Sequence, residues 1–247
     1  MFRRIVVLFV LSLIAVPQFS FAATSGDKPI TSGITSSPAP RIQTPTPTPV
    51  PPTPAKPQPI KFALTFDDGP SPNYTPQVLA LLDKFGAQAT FFMVGTNFTQ
   101  YPRLLQQVAA KGNEIAAHSM THPDPDYLSN SELDYEITAS VAGLREISDQ
   151  PVRYFRPPYG QRNYIYKKRA PELDVEIVYW TVDPRDWSGI SSDIIAERVL
   201  DNLEPGCIVL LHDGGGNRQE TVDALEIILR EANARGYNSV TLSNLEI

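Results

Sequence analysis

The stretch Lys61–Pro70, KFALTFDDGP, decides the fold class. Phe62–Phe66 is short and largely apolar, the signature of a buried strand. It ends on two carboxylates, Asp67 and Asp68, before Gly69 allows a sharp turn and Pro70 stiffens the exit. Asp-Gly pairs are common in turns, so this segment alone is equally consistent with an acidic turn. The same arrangement recurs, however. Short apolar segments at Ala89–Val94, Glu114–Ala117, Arg153–Arg156, Val175–Val182 and Cys207–Leu211 alternate with amphipathic stretches. Those stretches are Thr75–Phe85, Pro102–Lys111, Ser131–Ser148, Ser191–Leu203 and Glu220–Arg235, and a final strand is expected near Asn238–Leu242. Gly86, Gly112 and Gly236 stand where helix C-caps belong, and Ser131 and Ser191 or Ser192 where N-caps belong. Strand–helix alternation with apolar strands predicts an α/β domain built on a parallel sheet or barrel.

The chemistry-bearing residues cluster at one end of these strands. Asp67 and Asp68 follow the first, His118 the third and Arg156 ends the fourth. Asp183 and Asp186 follow the fifth, and His212 the sixth. In α/β barrels the carboxyl-end rim is where active sites form. The chain has only three histidines, and all lie in such motifs: HSMTH holds His118 and His122, and VLLHD holds His212. Two imidazoles four residues apart, read as one face of a helical turn ended by Pro123, plus a carboxylate are a ligand set for Zn²⁺ or a similar ion. One carboxylate and one imidazole remain for acid/base work. RPPYG, Arg156–Gly160, is a rigid turn carrying a cation and an aromatic ring. DPRDW offers Asp186 as an imidazole partner and Trp187 as a wall for a sugar ring. Taken singly, Arg156 reads as a surface ion pair, Trp187 as a core residue and His212 as a hydrogen-bonded core histidine.

Composition narrows the partners. From Lys61 onward lie 16 of the 21 Lys and Arg and 26 of the 27 Asp and Glu, a net charge of −10. Such a domain is a poor nucleic-acid binder. Met1–Ala23 reads as a secretory signal, with Arg3 and Arg4 before the 12-residue apolar run Ile5–Val16 and small residues at Ser20–Ala22. That run is too short for a comfortable membrane span, so no transmembrane anchor is expected after cleavage. Residues 24–60 are rich in Pro, Thr and Ser, with 11 of the 24 prolines between Pro29 and Pro59, and read as a disordered spacer. The single Cys207 excludes an intrachain disulfide and reads as a buried strand residue. Residues 61–247 form the expected catalytic domain.

TFDDG, HxxxH, RPPYG, DxxDW and LLHD, in this order and spacing, resemble the polysaccharide deacetylases with a NodB-homology domain, a carbohydrate esterase family. The resemblance covers Lys61 to the C-terminus. It implies a distorted (β/α) barrel of about seven strands and metal-dependent removal of acetyl groups from sugars. By motif it makes Asp68, His118 and His122 the metal ligands, Asp67 the general base and His212 the general acid. Arg156 then supports the base and Asp186 tunes His212. Tyr159 offers its backbone N–H to the acetyl oxygen, and Trp187 and Leu210 wall the pocket. The metal expected is Zn²⁺, with Co²⁺ or Ni²⁺ acceptable to the same ligands. The reading that follows is a secreted or cell-envelope enzyme, a monomer, that deacetylates N-acetylglucosamine units of peptidoglycan or chitin-type oligomers. The rival readings are an O-acetyl esterase on xylan-like polymers and a non-catalytic carbohydrate-binding wall protein.

Overall fold

The computed structural model describes residues 58–245. The expected signal segment and nearly all of the expected spacer lie outside these residues. Ile60, assigned by sequence to the spacer, is the first residue of a strand.

Seven parallel strands form the sheet: β1 Ile60–Asp67, β2 Ala89–Met93, β3 Glu114–Ala117, β4 Tyr154–Phe155, β5 Glu176–Ile177, β6 Ile208–His212 and β7 Tyr237–Ser239. Their order is β5-β4-β3-β2-β1-β6, with β7 pairing the first residues of β1, next to where β6 begins. β1 is central, and its last six residues are buried. Consequently it is apolar on both faces, as a covered parallel strand requires. Beyond β5 the chain returns to the far edge: Val182 bridges Val209, and the Leu210 N–H donates to the Val182 carbonyl at 2.9 Å. The sheet thus curls into the distorted barrel expected.

Seven helices surround it: α1 Thr75–Phe85, α2 Gly95–Gln100, α3 Pro102–Ala110, α4 Asn130–Ile147, α5 Tyr164–Glu172, α6 Ser192–Asp201 and α7 Gln219–Ala234. Their apolar stripes, such as Leu133, Ile137, Val141 and Leu144 on α4, build the main core against the outer sheet face. Among the described residues no helix is long and apolar enough to cross a membrane.

Several expected boundaries moved. α4 is capped by Ser129, not Ser131: Ser129 and Glu132 form a reciprocal capping box that starts the helix earlier. The strand expected over Val175–Val182 is reduced to two residues plus the Val182 bridge. The strand expected at Arg153–Arg156 is also two residues long. The last strand stops at Ser239, and Leu242–Asn244 form a 3-10 turn instead. That turn has a packing reason. Leu242 and Leu245 join Ala63, Phe92 and Ala116 in a small core inside the barrel, closing its amino end.

The barrel interior is therefore layered. β1 sends Leu64 and Phe66 outward to the helices, whereas Ala63, Thr65 and Asp67 alternate to the other face. Above the Leu242 plug lies the Phe92 ring. The Arg156 guanidinium stacks 3.9 Å from its centroid and reaches both Thr65 and Asp67. The top layer opens into the site.

Candidate active site

At the carboxyl ends of the strands lies a cavity of about 650 Å³ lined by Asp67, Asp68, His118, His122, Tyr159, Trp180, Trp187, Leu210, His212 and Arg218, among others. Every candidate catalytic, metal-ligating or substrate-contacting residue except Arg156 and Asp186 lines it, and those two hold Asp67 and His212, which do.

Asp67 ends β1 with its side chain in the barrel. Its Oδ1 accepts from Arg156 Nη1 at 2.7 Å, and Arg156 is wholly buried. The same guanidinium donates to Thr65 Oγ1 and to the carbonyls of Val178 and Tyr179, which fixes its orientation. Burial pushes the Asp67 carboxyl above the usual carboxylate range, while the cations of Arg156 and then His212 pull it back. Arg156 is thus no surface ion pair but the buried counter-charge of Asp67.

Asp68, the next residue, has left-handed backbone, φ 71°. Its Oδ1 is buried, accepts no hydrogen bond, and lies 3.5 Å from His118 Nε2 and 3.2 Å from His122 Nε2. One ligand atom from each of the three residues falls within 4.8 Å of the others. His118 Nδ1 contacts the Arg156 carbonyl at 2.7 Å; a carbonyl only accepts, so Nδ1 carries the proton and Nε2 keeps its lone pair. Burial holds His118 down at about 3, so the ring is neutral. A buried carboxylate oxygen that accepts no hydrogen bond and faces two imidazole nitrogens fits a divalent cation with nitrogen and oxygen ligands.

The two histidines do not sit on a helical turn as their spacing predicts. Ser119 and His122 both have left-handed φ, 64° and 56°, and the segment is a loop. The cause is Glu136, a buried carboxylate on α4 that accepts from the N–H groups of Met120 and Thr121 and from Thr121 Oγ1, each at 2.8 Å. Glu136 occupies a position within the apolar stripe of α4, and a carboxylate there is the signal that would have found it.

His212 ends β6. Its Nδ1 lies 2.8 Å from Asp186 Oδ1, and Asp186 Oδ2 accepts from the His212 N–H and from Thr221 Oγ1. Burial alone lowers the imidazole; the Asp186 hydrogen bond and charge, then Asp67 and Asp68, outweigh it and raise the pKa. Nε2 is left for the cavity. Tyr159 has φ 57°, and its backbone N–H finds no acceptor among the described residues. Its ring packs edge-on to His122 at 5.0 Å. Leu210 is buried in the wall, whereas Trp187 is exposed at the rim rather than in the core.

Two residues behind Asp68 have no role in the motif reading, although Asp213 ends the LLHD motif. Asp213 is fully buried, accepts from Thr75 Oγ1, and is raised to about 7 by burial, with Asp68 and Asp67 adding to the rise. Arg218 donates from Nε to the Gly214 carbonyl at 2.7 Å and from Nη2 to the Gly215 carbonyl at 3.2 Å. This holds Gly214 and Gly215 so close to Asp68 that a Cβ on either would fall 2.0 Å from the Asp68 carbonyl or 2.3 Å from Oδ2. The run of three glycines after Asp213 is the legible trace of that approach.

Comparison with known proteins agrees with this geometry. A family model described as polysaccharide deacetylase matches residues 55–178. A peptidoglycan-N-acetylglucosamine deacetylase from Bacillus cereus is 43% identical over 185 residues, which are 74% of this chain and 86% of the relative. A chitooligosaccharide deacetylase from a Bradyrhizobium species is 36% identical, over 74% of this chain and 89% of the relative. The structure of the peptidoglycan deacetylase PdaC from Bacillus subtilis superposes with a TM-score of 0.70 at 34% identity, covering 77% of this chain and 92% of that one. The chain belongs to the polysaccharide deacetylase family and is an enzyme of that metal-dependent class.

Proposed function

We propose that this protein removes N-acetyl groups from N-acetylglucosamine units of a cell-envelope polysaccharide, peptidoglycan or a chitin-type polymer, with Zn²⁺ held by Asp68, His118 and His122. The observation that carries this reading is the orphaned Asp68 oxygen between two imidazoles, flanked by a carboxylate braced on Arg156 and an imidazole braced on Asp186. Its location is outside the cell or in the envelope. That inference rests on the sequence of residues 1–23 and on the relatives named for peptidoglycan. Residues 24–60 serve as a spacer to residues 61–247, which act as a monomer.

Each residue has a task set by its surroundings. A divalent ion at the three ligands supplies Lewis acidity, lowering the pKa of water and polarising a carbonyl. Arg156 occupies Asp67 Oδ1, so Oδ2 is free to take a proton from the attacking water as its oxygen bonds to the acetyl carbon. A carboxyl raised by burial is a better base near neutral pH than an exposed one. The Tyr159 N–H donates to the acetyl oxygen as charge develops there, a contribution of about 10²–10³ in rate for such donors. When the C–N bond breaks, His212 Nε2 gives its proton to the leaving amine; Nδ1 is committed to Asp186. The products are acetate and a free amino sugar. Trp187 and Leu210 border the acetyl end of the groove.

The test is acetate release by the purified protein from N-acetylglucosamine oligomers, with and without chelator, beside Asp67→Asn. The expected result is release that needs the metal and falls about 10²–10⁴-fold in Asp67→Asn, with metal binding retained. Release unaffected by chelator, or an Asp67→Asn enzyme of full activity, overturns the assignment.

A further inference from the structure

Five aromatic side chains are exposed among the described residues: Tyr127, Tyr135, Tyr159, Tyr164 and Trp187. All five lie on segments leaving the carboxyl ends of β3, β4 and β5. Apolar rings held in water at one rim mark a binding surface rather than a core. Tyr159 and Trp187 already border the cavity. Tyr127 and Tyr164 are the most exposed, at 85% and 73%, and no motif includes them.

One hydrogen bond and the chain order link these two to the cavity. Tyr159 leads into Gln161, whose Nε2 donates to Asp126 Oδ2 at 3.4 Å, and Asp126 precedes Tyr127 in the 3-10 turn Pro125–Tyr127. On the other side of Gln161, Asn163 caps α5 through its bond from the Ile165 N–H, and Tyr164 is the first helical residue. Lys167 and Lys168 stand three and four residues further along, on the same exposed helix face as Tyr164. Neither lysine has an ion-pair partner among the described residues, whereas Arg169 beside them is paired with Asp134 and Glu172. In a domain of net charge −10, these two exposed lysines stand beside an aromatic ring with no carboxylate bound to either among the described residues.

From this geometry we infer that the turn at Pro125–Tyr127 and the first two turns of α5 extend the substrate groove and seat a stretch of glycan that bears carboxylates. Tyr127 and Tyr164 stack on the apolar faces of sugar rings, and Lys167 and Lys168 take the carboxylates. This rests on the proposed deacetylase reading and deepens it: a glycan carrying acidic substituents, as peptidoglycan does, is favoured over neutral chitin-type chains.

The experiment compares kcat/KM for acetate release from two sets of oligomers of matched length, one of neutral N-acetylglucosamine and one of peptidoglycan glycan with its carboxylates. Each set is assayed as the dimer and as a longer chain. In Lys167→Gln/Lys168→Gln the ratio of carboxylate-bearing to neutral substrate should fall about tenfold, and added salt should produce the same fall in the wild type. In Tyr127→Ala/Tyr164→Ala the ratio of long chain to dimer should fall about tenfold for both sets, with Tyr→Phe at both positions restoring it. All four residues are exposed, and an unchanged melting temperature verifies folding. If both ratios match the wild type, the groove extension is wrong while the deacetylase reading stands. If the wild-type protein releases no acetate from any of the substrates, the deacetylase reading fails and takes this inference with it.

Discussion

Two carboxylates with buried oxygens stand at opposite ends of the same barrel, and they are treated differently. At the amino end Glu114 accepts from Thr90 Oγ1 at 3.0 Å, from the Ser243 N–H at 3.1 Å and from Ser243 Oγ, while Thr90 Oγ1 accepts from the Leu242 N–H. At the carboxyl end Asp68 Oδ1 is buried without a hydrogen-bond donor and faces only the His118 and His122 rings, and Asp213 Oδ1 likewise accepts no hydrogen bond. A complete set of hydrogen bonds closes the barrel. An incomplete one, beside Asp67, stores unfavourable electrostatics for something the chain alone does not provide. The difference separates a carboxylate that holds the fold from one that serves the chemistry.

Asp68→Asn gives the largest expected effect and would break the comparison if it failed. Metal affinity, read by competition with a chromophoric chelator, should fall at least tenfold to a hundredfold, and deacetylation about 10³-fold or more. The metal-free variant should melt no lower than metal-free wild type, because it removes a carboxylate whose Oδ1 accepts no hydrogen bond beside Asp67 and Asp213. Saturating metal should raise the melting temperature of the wild type alone. A variant that melts well below the wild type without metal would mean that Asp68 is a structural carboxylate after all.

A second test acts on the acid side of the site. Burial lowers His212, but the Asp186 hydrogen bond and charge, with Asp67 and Asp68, outweigh it, so the protonated donor persists to higher pH than burial would allow. The protonated form is present below the His212 pKa and is lost as pH rises through it. Asp186→Asn removes the strongest of the contributions that raise His212 and leaves burial opposed only by Asp67 and Asp68. The alkaline limb of the kcat profile should therefore move to lower pH, with neutral-pH activity down about tenfold to a hundredfold. An unmoved alkaline limb would show that another group controls it.

The carboxyl rim was more legible in the sequence than the amino rim, and the reason is physical. Groups that do chemistry must be particular residue types at the ends of strands, so Asp67, Asp68, His118, Arg156 and His212 carry the strand–helix alternation with them. Their supports are readable only when they break a local pattern. Glu136 interrupts an apolar stripe and Gly214–Gly216 interrupt a strand-to-helix passage, whereas Thr65 is an ordinary strand threonine until Arg156 donates to it. Local geometry also hid the HSMTH loop. Spacing of four residues suggests a helical turn, but the Glu136 bonds to Met120 and Thr121 impose left-handed backbone at both ends instead. At the amino rim the plug depends on contacts across the whole chain, Leu242 with Ala63 and Ser243 with Glu114. No periodicity in residues 238–245 announces it, so a strand was the natural expectation there.

Glu114→Ala sharpens the comparison from the other end and carries the smallest effect on activity. Removing the carboxylate strips acceptors from Thr90 Oγ1, Ser243 Oγ and the Ser243 N–H, all at a rim where the chain is packed. An unsatisfied buried donor costs about 1–3 kcal/mol, and in a domain of this size each kcal/mol lowers the melting temperature by about 2–4 °C. Yet kcat/KM below the transition should remain within about twofold of the wild type, because Phe92 and the Arg156 layer lie between Glu114 and the cavity. Ser243→Ala removes one of those donors together with its acceptor bond and should cost less than Glu114→Ala, leaving only the Ser243 N–H and Thr90 on the carboxylate. If Glu114→Ala instead lowered activity as steeply as stability, the layers of the barrel would be coupled, and the division of labour between its two ends would not hold.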